Sequence, residues 1–507
     1  MNIRSQSLWI LALLLCVVQT GWAEDELSSS LESEEQPVAD SQPKPTGYPE
    51  STKLIHLTVQ PAVPPVPALK YSMRHRWTDQ YEGNAAPLYY RAILLMQQNN
   101  APREDQISHW ENIAQWTDAP IDTLPVDEVK RVLDHYQNVF QETRYGALRQ
   151  NCNWGMPIRE QQHDMYSILL PAIQECRSIA RLLALKIHYE ISQGNIEQAV
   201  EDLRIGFTLA KHVGGELILV SGLVGVAISN IMLEQVYVLM EHADTPNLSW
   251  MLASLPDPVV DFSHALEFEK NSVAMVFPQL DEAEKDGFSD AYWDTQLNTV
   301  LSKLAEYSKI TFMRNATDGL NNNAKSMLFR VHVYSQSKRA KSGLIKYGYA
   351  ETVVEKMSKA RAILLYTKHA FAELRDDLLK YSYFPYHEAL PYNRIGEEEF
   401  RLNSKAKEII PLASTLLPAI NQVQAAQALS RRKVAVLRTI EAIRWHAALN
   451  DGKLPSSLDQ ITVIPVPSNP MTGKPFNYRI QNQSAIIEMT DDYQGKKPVV
   501  IELTLKK

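Results

Sequence analysis

The chain has 507 residues, 45% of them hydrophobic and 22% charged, with a formal net charge of −8. That length supports two or more domains with their own cores. The acidic balance argues against general nucleic-acid binding, and three cysteines give little to a disulfide framework.

The first residues, MNIRSQSLWILALLLCVVQTGWAED, set Arg4 before an apolar run from Leu8 to Val18, then Gly21, Trp22 and Ala23. A basic start, a short apolar core and small residues at −3 and −1 predict a secretory signal peptide over 1–23, cleaved after Ala23. The apolar run is too short for a bilayer core of about 30 Å, so no stable transmembrane span is expected after cleavage. Leu15 before Cys16 disfavours lipoprotein processing. Export to the periplasm or the extracellular space follows. Cys152 and Cys176 would remain there, enough for one disulfide.

Residues 24–67 read as a disordered acidic and Pro-rich spacer. Six acidic residues fall between Glu24 and Glu35 among serines, too polar to offset the entropy of ordering. Leu54, Leu57 and Val59 hint at a short strand, after which Pro61, Pro64, Pro65 and Pro67 impose an extended connection.

Residues 68–424 form an expected helical domain. NAAPLYYRAILLMQQ offers Asn84 as N-cap and Pro87 in the first turn. Val129, Val132, Leu133, Tyr136 and Phe140 mark one helical face after Pro125. ARLLALKIHYEISQGNIEQAVEDLRIGFTLAKHVGG reads as a tetratricopeptide-type hairpin. Gly194 makes its turn, and Ile196, Ala199, Val200, Leu203 and Phe207 line its second helix. No second copy follows at a 34-residue period. Residues 217–233 carry no charge and place Ser221, Gly225 and Ser229 on a small-residue stripe, read as a buried helix rather than a membrane span. Further helices are expected over 261–283, 289–307, 321–346, 350–382 and 403–449, the last interrupted near Pro411 and Pro418.

Residues 425–507 read as a long helix plus a small β-sheet. Leu429, Val436, Ile440, Ile443 and Ala447 form the helix's apolar seam, with Arg431, Arg432, Arg438 and Arg444 largely off it. Gly452 stops the helix, and Pro465, Pro467 and Pro470 hold the chain extended. FNYRI, SAIIEM and PVVIELTL then read as three short strands. The fold class is therefore mainly α: an irregular helical array with a tetratricopeptide-like hairpin, followed by a long helix and a small antiparallel β-meander.

Two resemblances attach to these phrases. EGNAAPLYYRAILLM, CNWGMPIRE, the 180–214 hairpin, TPNLSWMLASLP and KLPSSLDQITVIPVPSNPMTGKPFNYRI resemble a family of uncharacterised exported proteins of planctomycete bacteria. The resemblance runs from about residue 68 to the end and implies export and a helical body, with no activity to carry over. The C-terminal part is loosely similar to type II secretion pseudopilin globular domains through Pro455, Ser457, Leu458, Asn469, Pro470, Gly473, Pro475, Phe476 and Tyr478. A pseudopilin opens with an apolar helix, whereas this helix is internal and carries Arg431, Arg432 and Lys433. The resemblance thus implies the small fold alone.

The usual marks of catalysis are missing. YHEALPY lacks the second histidine of a zinc-protease motif, and GxSxG, P-loop and GxGxxG patterns do not occur. The 13 histidines are scattered singly. No catalytic, cofactor-binding or metal-ligating residue is assigned, and no cofactor is expected. RQNCNWGMPIRE is the most unusual loop. Arg149, Cys152, Trp154, Arg159 and Glu160 are the pocket candidates there, since a thiol beside arginine can be acidified. The plainer reading has Trp154 plugging a core between helices. Tyr381, Tyr383, Phe384, Tyr386 and Tyr392 can stack a ligand or partner, or pack a helix end. The basic run Lys325–Lys346 can touch anionic lipid or polymer, or be a solvated face.

These readings favour an exported, non-enzymatic helical scaffold for protein contacts in the cell envelope. The alternatives are an envelope enzyme with a pocket near the 149–160 loop, and a secretion or envelope-assembly factor docking through its pseudopilin-like C-terminus.

Overall fold

Strand β1 spans Lys53–Val59 and β2 Tyr81–Asn84 in a computed structural model that describes residues 52–99, 103–155, 170–308, 322–417, 419–489 and 498–506. The signal peptide and residues 24–51 of the spacer lie outside the described residues. Helices follow as α1 (Ala86–Asn99), α2 (Arg103–Asp118), α3 (Val126–His135) and α4 (Gln137–Ala147), then strand β3 (Arg149–Asn151). Next come α5 (Leu170–Ser192), α6 (Ile196–Gly214), α7 (Leu219–Glu241), α8 (Ser249–Ala253), α9 (Ser263–Val276) and α10 (Gln279–Glu282). The series continues with α11 (Asp290–Ser308), α12 (Asn322–Ser335), α13 (Ser337–Lys346), α14 (Glu351–Lys356) and α15 (Lys359–Leu379). It closes with α16 (Tyr386–Lys407), α17 (Leu412–Leu416), α18 (Ala419–Leu449), and strands β4 (Asn477–Gln481), β5 (Ser484–Met489) and β6 (Val499–Leu505). The protein is mainly α-helical, with a small C-terminal sheet.

The chain divides into two units, one built from residues 265–424 and the other from the stretches before 265 and after 424. This division differs from a helical domain over 68–424 and a separate C-terminal module. The first half of the helices shares a unit with the last helix and the sheet.

In that larger unit, α5 and α6 make the expected hairpin. Gly194 takes φ +73, Asn195 N–H donates to the Glu190 carbonyl at 2.8 Å, and Gly194 N–H to that of Ile191 at 2.9 Å. This is the glycine C-cap that lets a helix end and reverse. Leu182, Leu183, Leu185 and Ile187 on α5 and Ala199, Val200, Leu203 and Phe207 on α6 are all buried. Helix α7 is long and apolar enough to cross a membrane by length and composition, and 67% of its apolar window is buried in this fold. It packs closely on α6. A Cβ on Gly225 would stand 2.7 Å from both the Ala210 carbonyl oxygen and the Gly214 Cα. The small-residue stripe serves that approach.

The three C-terminal strands form where alternation placed them, β4 antiparallel to β5 and β5 antiparallel to β6. A fourth strand completes the sheet. β1 pairs in parallel with β6 from Lys53↔Val499 to Val59↔Leu505, giving the order β1-β6-β5-β4. Residues 52–67 are thus not a free spacer. Leu57 and Val59 are buried, and Thr58 N–H donates to Glu241 Oε1 at 3.0 Å. The meander is covered on one edge by the N-terminal strand.

The proline-rich stretch after α18 is a structural transition. Asn469 N–H donates to the Lys474 carbonyl and its own carbonyl accepts from Gly473 N–H, both at 2.8 Å, with Gly473 at φ +69. Phe476 and Leu458 are buried, and Tyr478 Oη donates to the Pro455 carbonyl at 2.7 Å. The residues that carry the pseudopilin likeness therefore build a turn into the β4–β5 hairpin.

In the smaller unit, α15 is central and packs on α11, α13 and α16. Ser358 Oγ caps its start, accepting from Arg361 N–H at 3.2 Å. Ile363, Leu364, Leu365, Phe371 and Leu374 are buried along it. Helix α16 fills the stretch between the expected helices 350–382 and 403–449, with Pro391 inside it. One lost backbone donor is tolerated within a helix of 22 residues rich in Glu, Arg, Leu and Lys.

Candidate functional site

The 149–155 loop is shaped by one asparagine. β2 and β3 run parallel, with Tyr81 opposite Arg149 and Asn84 opposite Asn151. Asn84 Oδ1 accepts from Asn153 N–H at 2.8 Å and from Ala86 N–H at 3.1 Å, while its Nδ2 donates to the Asn153 carbonyl at 2.6 Å. Asn84 thus sits one residue ahead of the N-cap position, holds the first N–H of α1 and closes the loop. Asn153 Oδ1 accepts from Gly155 N–H at 2.8 Å, with Gly155 at φ +66.

This geometry turns Trp154 inward. Its indole stacks on Tyr89 at 5.7 Å and 17°, meets Tyr90 edge-on at 5.4 Å, and donates from Nε1 to the His212 carbonyl at 3.0 Å. Trp154 N–H donates to Glu216 Oε1 at 3.0 Å, and Tyr89 Oη bonds His212 Nδ1 at 2.8 Å. Trp154 is therefore the core plug of the plainer reading. Arg149 is engaged elsewhere: its Nη1 donates to the Glu82 carbonyl at 2.6 Å and its guanidinium lies 5.6 Å from the Tyr81 ring centre. Arg159 and Glu160 lie outside the described residues.

The electrostatics oppose an activated thiol. Burial pushes the Cys152 thiol up, and the Glu216 carboxylate pushes it further. Burial raises Cys176 as well, and both cysteines are free. Burial lowers His212 to about 3, helped by Lys211 and His75. A thiol that burial keeps protonated, and an imidazole whose basicity burial lowers this far, leave neither a thiolate nor an effective base at neutral pH. Among the described residues, no group of three or more His, Cys, Asp or Glu is placed to hold a metal ion.

The most buried charges lie elsewhere in the same unit. Arg444 Nη2 donates to the Thr245 carbonyl at 2.9 Å and Nε to the Gln60 carbonyl at 2.8 Å. Glu441 Oε2 accepts from Leu248 N–H at 3.0 Å, and its backbone carbonyl accepts from Asn247 Nδ2 at 2.7 Å. Ala62 N–H reaches the Arg444 carbonyl at 3.2 Å, and Asn247 N–H the Val63 carbonyl at 3.1 Å. This corrects the placement of Arg444 off the buried face. Sequence reasoning missed it because no pattern shows that two other segments cover the second side of α18. The arrangement is a clasp among three chain segments.

In the smaller unit the aromatic cluster divides. Tyr381 stacks on Tyr392 at 5.4 Å and 15°. Tyr383 is 74% exposed, Phe384 57% and Tyr392 55%. Packing of a helix end accounts for only part of the cluster. The exposure continues along α16 through Ile395 and Leu402, so Tyr392, Ile395, Glu399, Leu402 and Ala406 form an outer stripe at alternating three- and four-residue steps. Ala389 and Ser404 are buried on its other side.

No protein-family model, curated protein or solved structure matches this chain. The two resemblances rest on the residues that carry them.

Proposed function

We propose that the chain is an exported, non-enzymatic helical scaffold that holds protein partners in the cell envelope. The carrying observation is the outer stripe of α16. Tyr392, Ile395 and Leu402 each expose more than half of their surface on one helix face, and exposed Tyr383 and Phe384 precede the same helix. Spacing of this kind suits a second helix laid alongside, with apolar anchors inside a charged rim. Glu397, Glu398, Arg401 and Lys405 supply that rim. Export rests on the pattern of the first 23 residues.

A photo-crosslinking residue at position 395 tests the reading in cells that make the chain. A discrete adduct with another envelope protein is expected, and Tyr392→Asp with Leu402→Asp should reduce it at least tenfold. The reading fails if position 395 gives no more adduct than a control at exposed Lys359, or if the tagged chain fractionates with the cytosol.

A further inference from the structure

From Asn322 to Ala350 the sequence has Lys325, Arg330, Lys338, Arg339, Lys341 and Lys346 and no Asp or Glu, within a chain whose net charge is −8. Helices α12 and α13 carry this stretch, separated by Gln336 alone. Val333, Ser337, Ala340 and Leu344 are their buried positions, at spacings of four, three and four. The opposite positions, Met327, Val331, Ser335, Lys338, Ser342 and Ile345, are all exposed and step by three or four residues through the break. The helix pair thus keeps one outer face.

That face combines two features. Met327 is 68% exposed, Leu328 54%, Val331 60% and Ile345 41%, an unusual cluster of large apolar side chains left to water. Lys338, Lys341 and Lys346 flank Ile345, and among the described residues none has a carboxylate within ion-pair distance. Of the acids near this face, Asp294 Oδ1 accepts from Tyr334 Oη at 3.0 Å and Glu373 Oε2 from Tyr347 Oη at 2.7 Å, while Glu351 and Glu355 lie on α14 beside α13. Lys341 Nζ donates to the Glu355 backbone carbonyl at 2.9 Å, which leaves its charge uncompensated.

We propose that the outer face of α12–α13 docks on an anionic lipid bilayer. Lysines without counter-ions attract the charged headgroups, and the apolar residues enter the headgroup boundary, the two contributions that seat an interfacial helix. A soluble polyanion would satisfy the lysines but leave Met327, Leu328 and Val331 in water, so the apolar cluster favours lipid.

Flotation of the full chain with vesicles tests this. Binding to 1:1 phosphatidylcholine–phosphatidylglycerol vesicles should exceed binding to pure phosphatidylcholine at least tenfold in low salt and weaken as salt rises. Replacing Lys338, Lys341 and Lys346 with Gln should weaken it roughly a hundredfold. Leu328→Ser with Val331→Ser should weaken it about tenfold, which heparin binding would not register. Lys338, Lys346, Leu328 and Val331 are exposed, and Lys341 is half-buried and gives up one bond to the Glu355 carbonyl, so circular dichroism and melting temperature check that each variant keeps the fold; every variant carries the same apolar N-terminal run. Equal binding to both vesicle types, or no loss with the Gln variant, overturns the proposal. So does a Leu328/Val331 variant that binds vesicles as the parent does, which would mark the face as a polyanion surface.

Discussion

Arg444 Nη1 donates to Glu441 Oε1 at 2.6 Å, and neither side chain has exposed surface. The pair sits one turn apart on α18, yet its other bonds reach Gln60, Thr245 and Leu248. A buried pair of this kind does not have to stabilise the fold relative to an apolar pair, but breaking it leaves a charge without a partner. Arg444→Met should cost about 3–5 kcal/mol in chemical denaturation. Glu441→Leu with Arg444→Leu should cost less than the sum of the single changes by at least ~1 kcal/mol, because no lone charge remains. Strict additivity would show that the two charges do not act together. Limited proteolysis of Arg444→Met should also open the 60–75 segment first.

The clasp explains which parts of the fold were legible. Strands β4, β5 and β6 alternate strongly, and the 180–214 hairpin has a glycine turn between two apolar faces, so local pattern sufficed. β1 was visible as Leu54, Leu57 and Val59, but its partner β6 lies at the other end of the chain, and no local rule joins them. Arg444 failed for the same reason: its burial depends on Gln60 and Thr245, distant in sequence. Trp154 was readable as a plug because a tryptophan in a short loop between helices has few other places to go. That Arg149 would turn to the Glu82 carbonyl was not, since it depends on the β2–β3 register.

The β1–β6 pairing gives a second prediction. Leu57 is 2% exposed and Val59 fully buried against a sheet whose next strand carries buried Val500, Ile501 and Leu503. Leu57→Ala should cost about 2–5 kcal/mol. Deleting residues 52–59 should do something different in kind. It leaves β6 as a bare apolar edge, so light scattering on mild heating should show concentration-dependent association. A deletion variant that stays monomeric with the parent's melting temperature would show that β1 is dispensable.

Two glycines separate backbone approach from side-chain packing. A Cβ on Gly225 meets backbone atoms, whereas one on Gly206 meets the Sδ of the flexible Met232 side chain. Backbone cannot yield without parting α6 from α7, while methionine can change rotamer and alanine favours the helix. Gly225→Ala should therefore lower stability by at least ~2 kcal/mol more than Gly206→Ala, within the range of core overpacking. Equal losses in thermal unfolding would mean that the α6–α7 contact has slack.

The last prediction concerns acid. His212 is buried against Tyr89 and Trp154, and burial sets its folded value at about 3 against an ordinary 6.5. The folded value lies below the unfolded one, so the unfolded chain takes up the proton first. The stability linked to His212 is present above pH 6.5 and is lost as pH falls towards 3. By pH 5 the loss should reach about 2 kcal/mol. His75 and His188 are lowered by burial too, whereas burial raises carboxylates such as Asp202 and Glu216, which act with the opposite sign, so the parent's own slope mixes several groups. The diagnostic is therefore a difference. His212→Gln cannot charge, still offers a polar group to Tyr89 Oη, and leaves Glu216 and the other histidines in place. It should be less stable than the parent at pH 7.5, with the gap narrowing by about 2 kcal/mol at pH 5. A gap that stays constant across that range would mean that His212 is not held neutral in the folded chain.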